Sequence, residues 1–283
     1  MYWSIRRELW ENRSLYIAPL LVAGFALFGF FISTFRLARK YRALATLDLE
    51  KQQIAVATPF NLASSVILFS GVVVSMFYCL DALYGERRDR SILFWKSLPV
   101  SDRTTVLSKA SIPLFVQPLI GFVIASATQV LMFFGSTVIL AAARGVSPVL
   151  LWSRLPFFQI PVVMLYGITV HILWYAPIYA WLLLISGWAK RATFLWATLP
   201  FFFLFVVEYL STRTKLVPEF LKYRFMGAMI EAFDVHAGKA PIVRLSQLAP
   251  LKFLSTPGLW LGLLFAAACL ALAIRLRRRG EYL

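Results

Sequence analysis

Side chains able to do chemistry are sparse and scattered in this 283-residue sequence. Its two histidines, His171 and His236, and its two cysteines, Cys79 and Cys269, have none of the close spacings a metal site uses. Both cysteines lie within apolar runs and read as small buried hydrophobes, not as a disulfide or metal pair. The sequence holds no G-x-S-x-G nucleophile elbow, no G-x-x-x-x-G-K-S/T phosphate loop and no G-x-G-x-x-G fingerprint. We therefore expect no catalytic residue, no metal and no cofactor in this chain. Two polar residues stand inside long apolar runs, His171 (in YGITVHILWYAP) and Gln129. A polar group in hydrocarbon is costly, so each is a candidate for a substrate path, and His171 for proton sensing. The structural alternative for both is a satisfied hydrogen bond between helices. Pro177, downstream of His171, frees a backbone carbonyl and favours a kink.

The densest charged segment is Leu83–Lys109, LYGERRDRSILFWKSLPVSDRTTVLSK. It opens with Glu86, Arg87, Arg88 and Asp89. Ile92, Trp95 and Leu98 then recur at intervals of three, one apolar stripe of a short helix. Pro99 ends that helix, because the residue before a proline is pushed out of the helical region. Ser101 suits the cap of a following helix, and Asp102 its positive first turn. A short helix with an exposed Ile, Phe and Trp face cannot cover that face itself. It requires either the membrane surface or a partner.

The elements that must position these residues are membrane spans. Apolar residues make up 60% of the chain and charged residues 15%, against roughly 45–50% and about 25% in ordinary soluble domains. A span needs about 20 mostly apolar residues. Six stretches qualify: 15–35, 60–83, 112–143, 156–188, 192–210 and 257–274. Backbone groups in lipid must be satisfied internally, so the spans are helices. The expected fold is all-α, a polytopic membrane protein forming one transmembrane domain over residues 1–283. A connector (84–109) and a second charged stretch (211–256) lie between spans. The net charge of +16 sits between apolar runs, where it meets lipid headgroups, and nucleic acid is not an expected partner. Residues 1–13 carry Arg6, Arg7 and Arg13 without a small-residue cleavage site after the next run. That run reads as a retained first helix. Basic residues divide almost evenly between the two sides, but Arg275, Arg277, Arg278 and Arg279 abut the last span and favour both termini in the cytoplasm.

Smaller features complete the reading. Leu37, Tyr41 and Leu44 stand at helical spacing among Arg36, Arg39, Lys40 and Arg42, which predicts a helix lying in the interface over Arg36–Gln53. Ser211–Thr256 reads as short amphipathic or re-entrant helices on the outer face. Asp81 and Glu208 read as interfacial and locally paired. Phe201, Phe202 and Phe203, with Trp174 and Tyr175, either line a path for an apolar or amphipathic substrate or face lipid.

The run Glu86-Arg87-Arg88-Asp89-Arg90-Ser91, then Leu98-Pro99-Val100-Ser101 and Lys109, resembles the signature loop of type-2 ABC transporter permeases. The Gly-Thr usual after the charged cluster is here Arg90-Ser91. The six-span layout is similar too. The resemblance implies an exporter's membrane subunit in a bacterial cytoplasmic membrane, without an ATPase of its own. It implies two copies of an ATP-binding partner that holds ATP and magnesium, and a second permease copy, most simply a homodimer. Segment 92–98 would then be a coupling helix inserted into the partner, with Glu86, Arg87, Arg88, Asp89, Ile92, Trp95, Leu98 and Pro99 as its coupling residues. The N-terminal segment, through Trp3, Arg6, Arg7 and Trp10, would be a second contact or an anchor on membrane lipids. Competing readings are a membrane scaffold or regulatory subunit without cargo, an intramembrane enzyme, for which His171 lacks a titratable partner, and an ion channel, for which no filter-like loop exists.

Overall fold

The computed structural model describes residues 2–44, 46–91, 100–143, 147–234, 242 and 244–279. Ile92, Trp95, Leu98 and Pro99 lie outside the described residues, as does His236. Among the described residues the chain is helical, with one isolated bridge, Phe233–Leu248, and no strand. Six helical stretches are long and apolar enough to cross a membrane.

A short α1 (Tyr2–Glu11) precedes the first span, α2 (Ser14–Leu44). The second is α3 (Leu49–Ala82), continued after a break at Leu83 by α4 (Tyr84–Arg88). The third is composite: α5 (Asp102–Ser111), a π-helical turn (Ile112–Val116) and α6 (Gln117–Ala142). After α7 (Val149–Arg154) come α8 (Gln159–Trp188) and α9 (Thr193–Ser211). Then α10 (Leu216–Ala232) and α11 (Pro250–Ser255) lead into the last span, α12 (Pro257–Arg279).

The spans α2, α3 and α6 pack mutually as a three-helix unit, while α8 and α12 form a second unit joined to it through α3. Leu259 lies beside Trp174 at one level and Ala266 and Cys269 beside Ala180 at another, so α8 and α12 run in the same direction. By contrast, α9 buries only Ala197 of its 19 residues and stands at the margin. Its turn from α8 passes through Ala192 at φ 50°. At its other end Glu208 accepts hydrogen bonds from the first amides of α10, Leu216 N and Val217 N, as a carboxylate at a positive helix end should.

The interface helix expected over Arg36–Gln53 is not a separate element. Residues 36–44 continue α2, and 49–53 begin α3. Leu37, Tyr41 and Leu44 are buried in one cluster with Val56, Ala57 and Phe60 of α3. A helical apolar stripe looks the same in sequence whether lipid or a neighbouring helix covers it, and here α3 covers it.

The π turn sits where Pro113 and Pro118 interrupt the third span. Proline supplies no amide donor and crowds the carbonyl four residues back. The helix widens there, with Gln117 N bonded to Ile112 O. Lys109 lies just before this turn, on the face that looks toward α1.

Candidate functional site

Charged residues from four elements, joined by a tyrosine from a fifth, converge at the end of the bundle that carries α1. Glu8, on α1, is almost wholly buried, and its Oε1 accepts from Arg7 Nη2 and from Lys109 Nζ, both at 2.8 Å. Its Oε2 accepts from the Tyr78 hydroxyl of α3 at 2.8 Å. Lys109 Nζ also stands 3.2 Å from Glu86 Oε1 on α4, and Arg7 Nη2 stands 3.6 Å from it. Those two contacts attract by charge without hydrogen-bond alignment. Glu86 Oε2 accepts from Arg277 Nη1 at 2.7 Å, and Arg277 Nε donates to Asp102 Oδ1 at 3.0 Å. Glu8, Glu86 and Asp102 thus meet three cations, and those charges cancel; the exposed Glu11 adds a fourth carboxylate at the rim, 3.5 Å from Arg7 Nε.

Burial and pairing act on Glu8 in opposite senses. Loss of water pushes its carboxyl up, but Lys109, Arg7 and Tyr78 together hold it below the ordinary glutamate value. The group is therefore anionic at neutral pH. Charges this dry repay their desolvation only when every partner is present. The local sequence explains how α1 delivers them. Ile5 and Leu9 pack inward beside Glu8, while Trp3 and Trp10 point outward with the Arg6 guanidinium 5.6 and 4.5 Å from their ring centres.

A second fastening holds the same region to α8. The break at Leu83 leaves two amides without helical acceptors, and both donate to Ser186 Oγ, Leu83 N at 3.0 Å and Tyr84 N at 2.9 Å. Arg87 Nη2 donates to the carbonyls of Ser186 and Ala189 at 2.5 and 2.8 Å. Beyond it the cluster turns outward. Arg88 and Asp89 are exposed and paired at 3.0 Å, Arg88 reaches Asp81 at 3.7 Å, and Arg90 adopts φ 55°, the left-handed region that favours glycine. On the far side of residues 92–99, Ser101 Oγ accepts from Thr104 N as the cap of α5.

The expected site residues therefore separate. Glu86 and Arg7 enter the hub, Arg87 clamps α8, and Arg88 and Asp89 face outward. Trp3, Arg6 and Trp10 form the exposed face of α1. Gln129 donates to Ser64 Oγ at 2.6 Å across α6 and α3, the structural alternative. His171 Nε2 lies 3.1 Å from the Tyr179 hydroxyl, and its ring stacks on Tyr175 at 4.8 Å, so its polar partner is in its own helix. Trp174 is fully buried and donates to Arg224 O at 2.8 Å, while the Tyr175 hydroxyl donates to Phe225 O at 2.7 Å. Both hold α10 against α8. Phe201 and Phe202 line a cavity of about 910 Å³ between α8, α9, α10 and α12, and Phe203 is exposed.

Sequence reasoning missed Glu8, Tyr78, Ser186 and Arg277 as members of the site. A carboxylate flanked by Ile5 and Leu9 on the face opposite two tryptophans was the available signal for Glu8. Arg277 is one of four basic residues at the end of α12 and nothing local distinguishes it. No protein-family model, curated protein or solved structure matches this chain.

Proposed function

We propose that this chain is the membrane-spanning subunit of an ATP-driven exporter of the type-2 ABC permease kind, with ATP hydrolysed by a separate subunit. The observation that carries the reading is the ion pairing of Glu86 with Lys109 across the connector. Both are residues of the motif on which the resemblance rests, and they flank residues 92–99 on either side. A motor that pushes on this connector needs stiff footings, and the hub supplies them. It ties both flanks, α4 and the α5 start of the third span, to α1 and α12 and to each other. The left-handed Arg90 adds support, because the permeases that this loop resembles place glycine at that position.

In this reading α1 and the connector face the cytoplasm of a bacterial cell, and two ATP-binding subunits press on Ile92, Trp95 and Leu98. The sparsely buried α2 and α9 meet lipid or a second copy of the chain. The cargo is hydrophobic or amphipathic. Purification from native membranes in mild detergent should bring down a soluble protein with a phosphate loop in about equal amount. Trp95→Glu should abolish that co-purification. A chain that emerges alone, or a Trp95→Glu variant that still carries the ATPase, would overturn the proposal.

A further inference from the structure

The cavity bounded by α9 is apolar on nearly every side. Trp181, Phe201, Phe202, Phe205, Phe220 and Phe265 are among its aromatic lining, and among the described residues lining it Arg224 alone is charged. Arg224 is 9% exposed. Its Nη1 donates to Gly258 O at 3.3 Å, its Nη2 donates to Trp174 O, and its guanidinium lies 4.8 Å from the Trp174 ring centre. Its buried Nε has no hydrogen-bond partner, and no described carboxylate stands within ion-pair reach. The slot is built for this group. A Cβ at Gly262 would come within 2.7 Å of Nη2, so a larger residue there would push the guanidinium from its present place.

Carbonyl dipoles and a π face only partly offset a buried cation, which in proteins is ordinarily matched by an anion. We propose that this cavity binds an anionic amphiphile, its alkyl chain against the aromatic wall and its acidic head on Arg224. The volume of about 910 Å³ lies toward the upper end for small-molecule sites and accommodates a long chain. Planar guanidinium favours a carboxylate or phosphate, which it engages through two parallel N–H donors. A membrane phospholipid and a free fatty acid share that chemistry. That the occupant is cargo rests on the exporter reading; that it binds does not.

The test uses the full chain in phosphatidylcholine nanodiscs carrying a trace of one diazirine-labelled probe: palmitate, phosphatidylglycerol or neutral phosphatidylcholine. Cross-links are mapped to peptides of α9 and α10. Labelling by at least one anionic probe should exceed the neutral control roughly tenfold, the equivalent of one charge-assisted pair. Palmitate in excess identifies a free acid, and phosphatidylglycerol a membrane lipid. Arg224→Gln should remove the preference, Arg224→Lys should retain part of it, and Thr198→Trp, which fills the cavity from α9, should suppress labelling by every probe. Equal labelling by neutral and anionic probes in the wild-type chain would overturn the proposal and leave Arg224 as a pin for α10. So would an undiminished preference in folded Arg224→Gln. The wild-type comparison decides even if that variant fails to fold. No ATPase is needed, so failure here leaves the exporter reading standing, and failure to capture an ATPase leaves this site standing.

Discussion

The hub at the α1 end and the cavity beside α9 both bury cations, but they neutralise them differently. At the hub, Arg7, Lys109 and Arg277 face Glu8, Glu86 and Asp102, so the charge is complete within the chain. At the cavity, Arg224 has carbonyls and a ring but no described carboxylate. A charge set that closes on itself holds elements together; a charge left open is a place for something else to bind. The elements agree with that division. The hub joins α1, α3, α4, α5 and α12, whereas one wall of the cavity is α9, the least embedded span.

The comparison can be broken most forcefully at Lys109. Lys109→Met leaves Glu8 and Glu86 sharing a dry site with one cation fewer, and should cost about 3–5 kcal/mol, read as a fall in the detergent unfolding transition. A loss under about 1 kcal/mol would mean the hub is not load-sharing. Ser186→Ala strips the acceptor from two amides at the α3 break and should cost about 1–3 kcal/mol in the same assay. Arg90→Gly should go the other way, stabilising by up to about 1 kcal/mol, because a left-handed conformation strains every residue but glycine. The same change at helical Arg88 should destabilise by about as much.

The smallest effect belongs to pH. A carboxyl held below its ordinary value gives full stabilisation above the unfolded value of about 4.3 and loses it only as pH falls through the lower folded value. Stability from Glu8 should therefore be flat between about pH 7 and 5 and decline below about 4. Glu8→Gln should shift the whole curve down and flatten its acid limb. A wild-type transition already falling at pH 6 would place another titrating group in control.

Much of the architecture was legible because spanning a membrane is a local property. Length and apolarity of α2, α3, α6, α8, α9 and α12 can be counted along the chain. Polar pairing was legible only as a need. Gln129 plainly required a partner, yet nothing in sequence pointed to Ser64. The hub was less visible still, since Glu8 pairs with Lys109 across 101 residues and Glu86 with Arg277 across 191. Which of four neighbouring basic residues turns inward depends on the rotation of α12 against α5, and that is settled only when the helices pack. Arg36–Gln53 misled for the same reason, because its stripe did not reveal which surface would cover it.

The π turn at Ile112–Val116 has a consequence for how the third span can be edited. One inserted residue advances a helix by about 100°. Lys109 lies on one side of the turn, its angle fixed by Glu8 and Glu86, and Gln129 on the other, its angle fixed by Ser64. The turn is a phase adapter between two half-helices that answer to different neighbours. Deleting a single residue from it closes the wide turn into ordinary α-helix and leaves the halves in phase, whereas deleting one from the α-helical stretch on either side rotates them by about 100°, so that either the cation or the amide must abandon its partner.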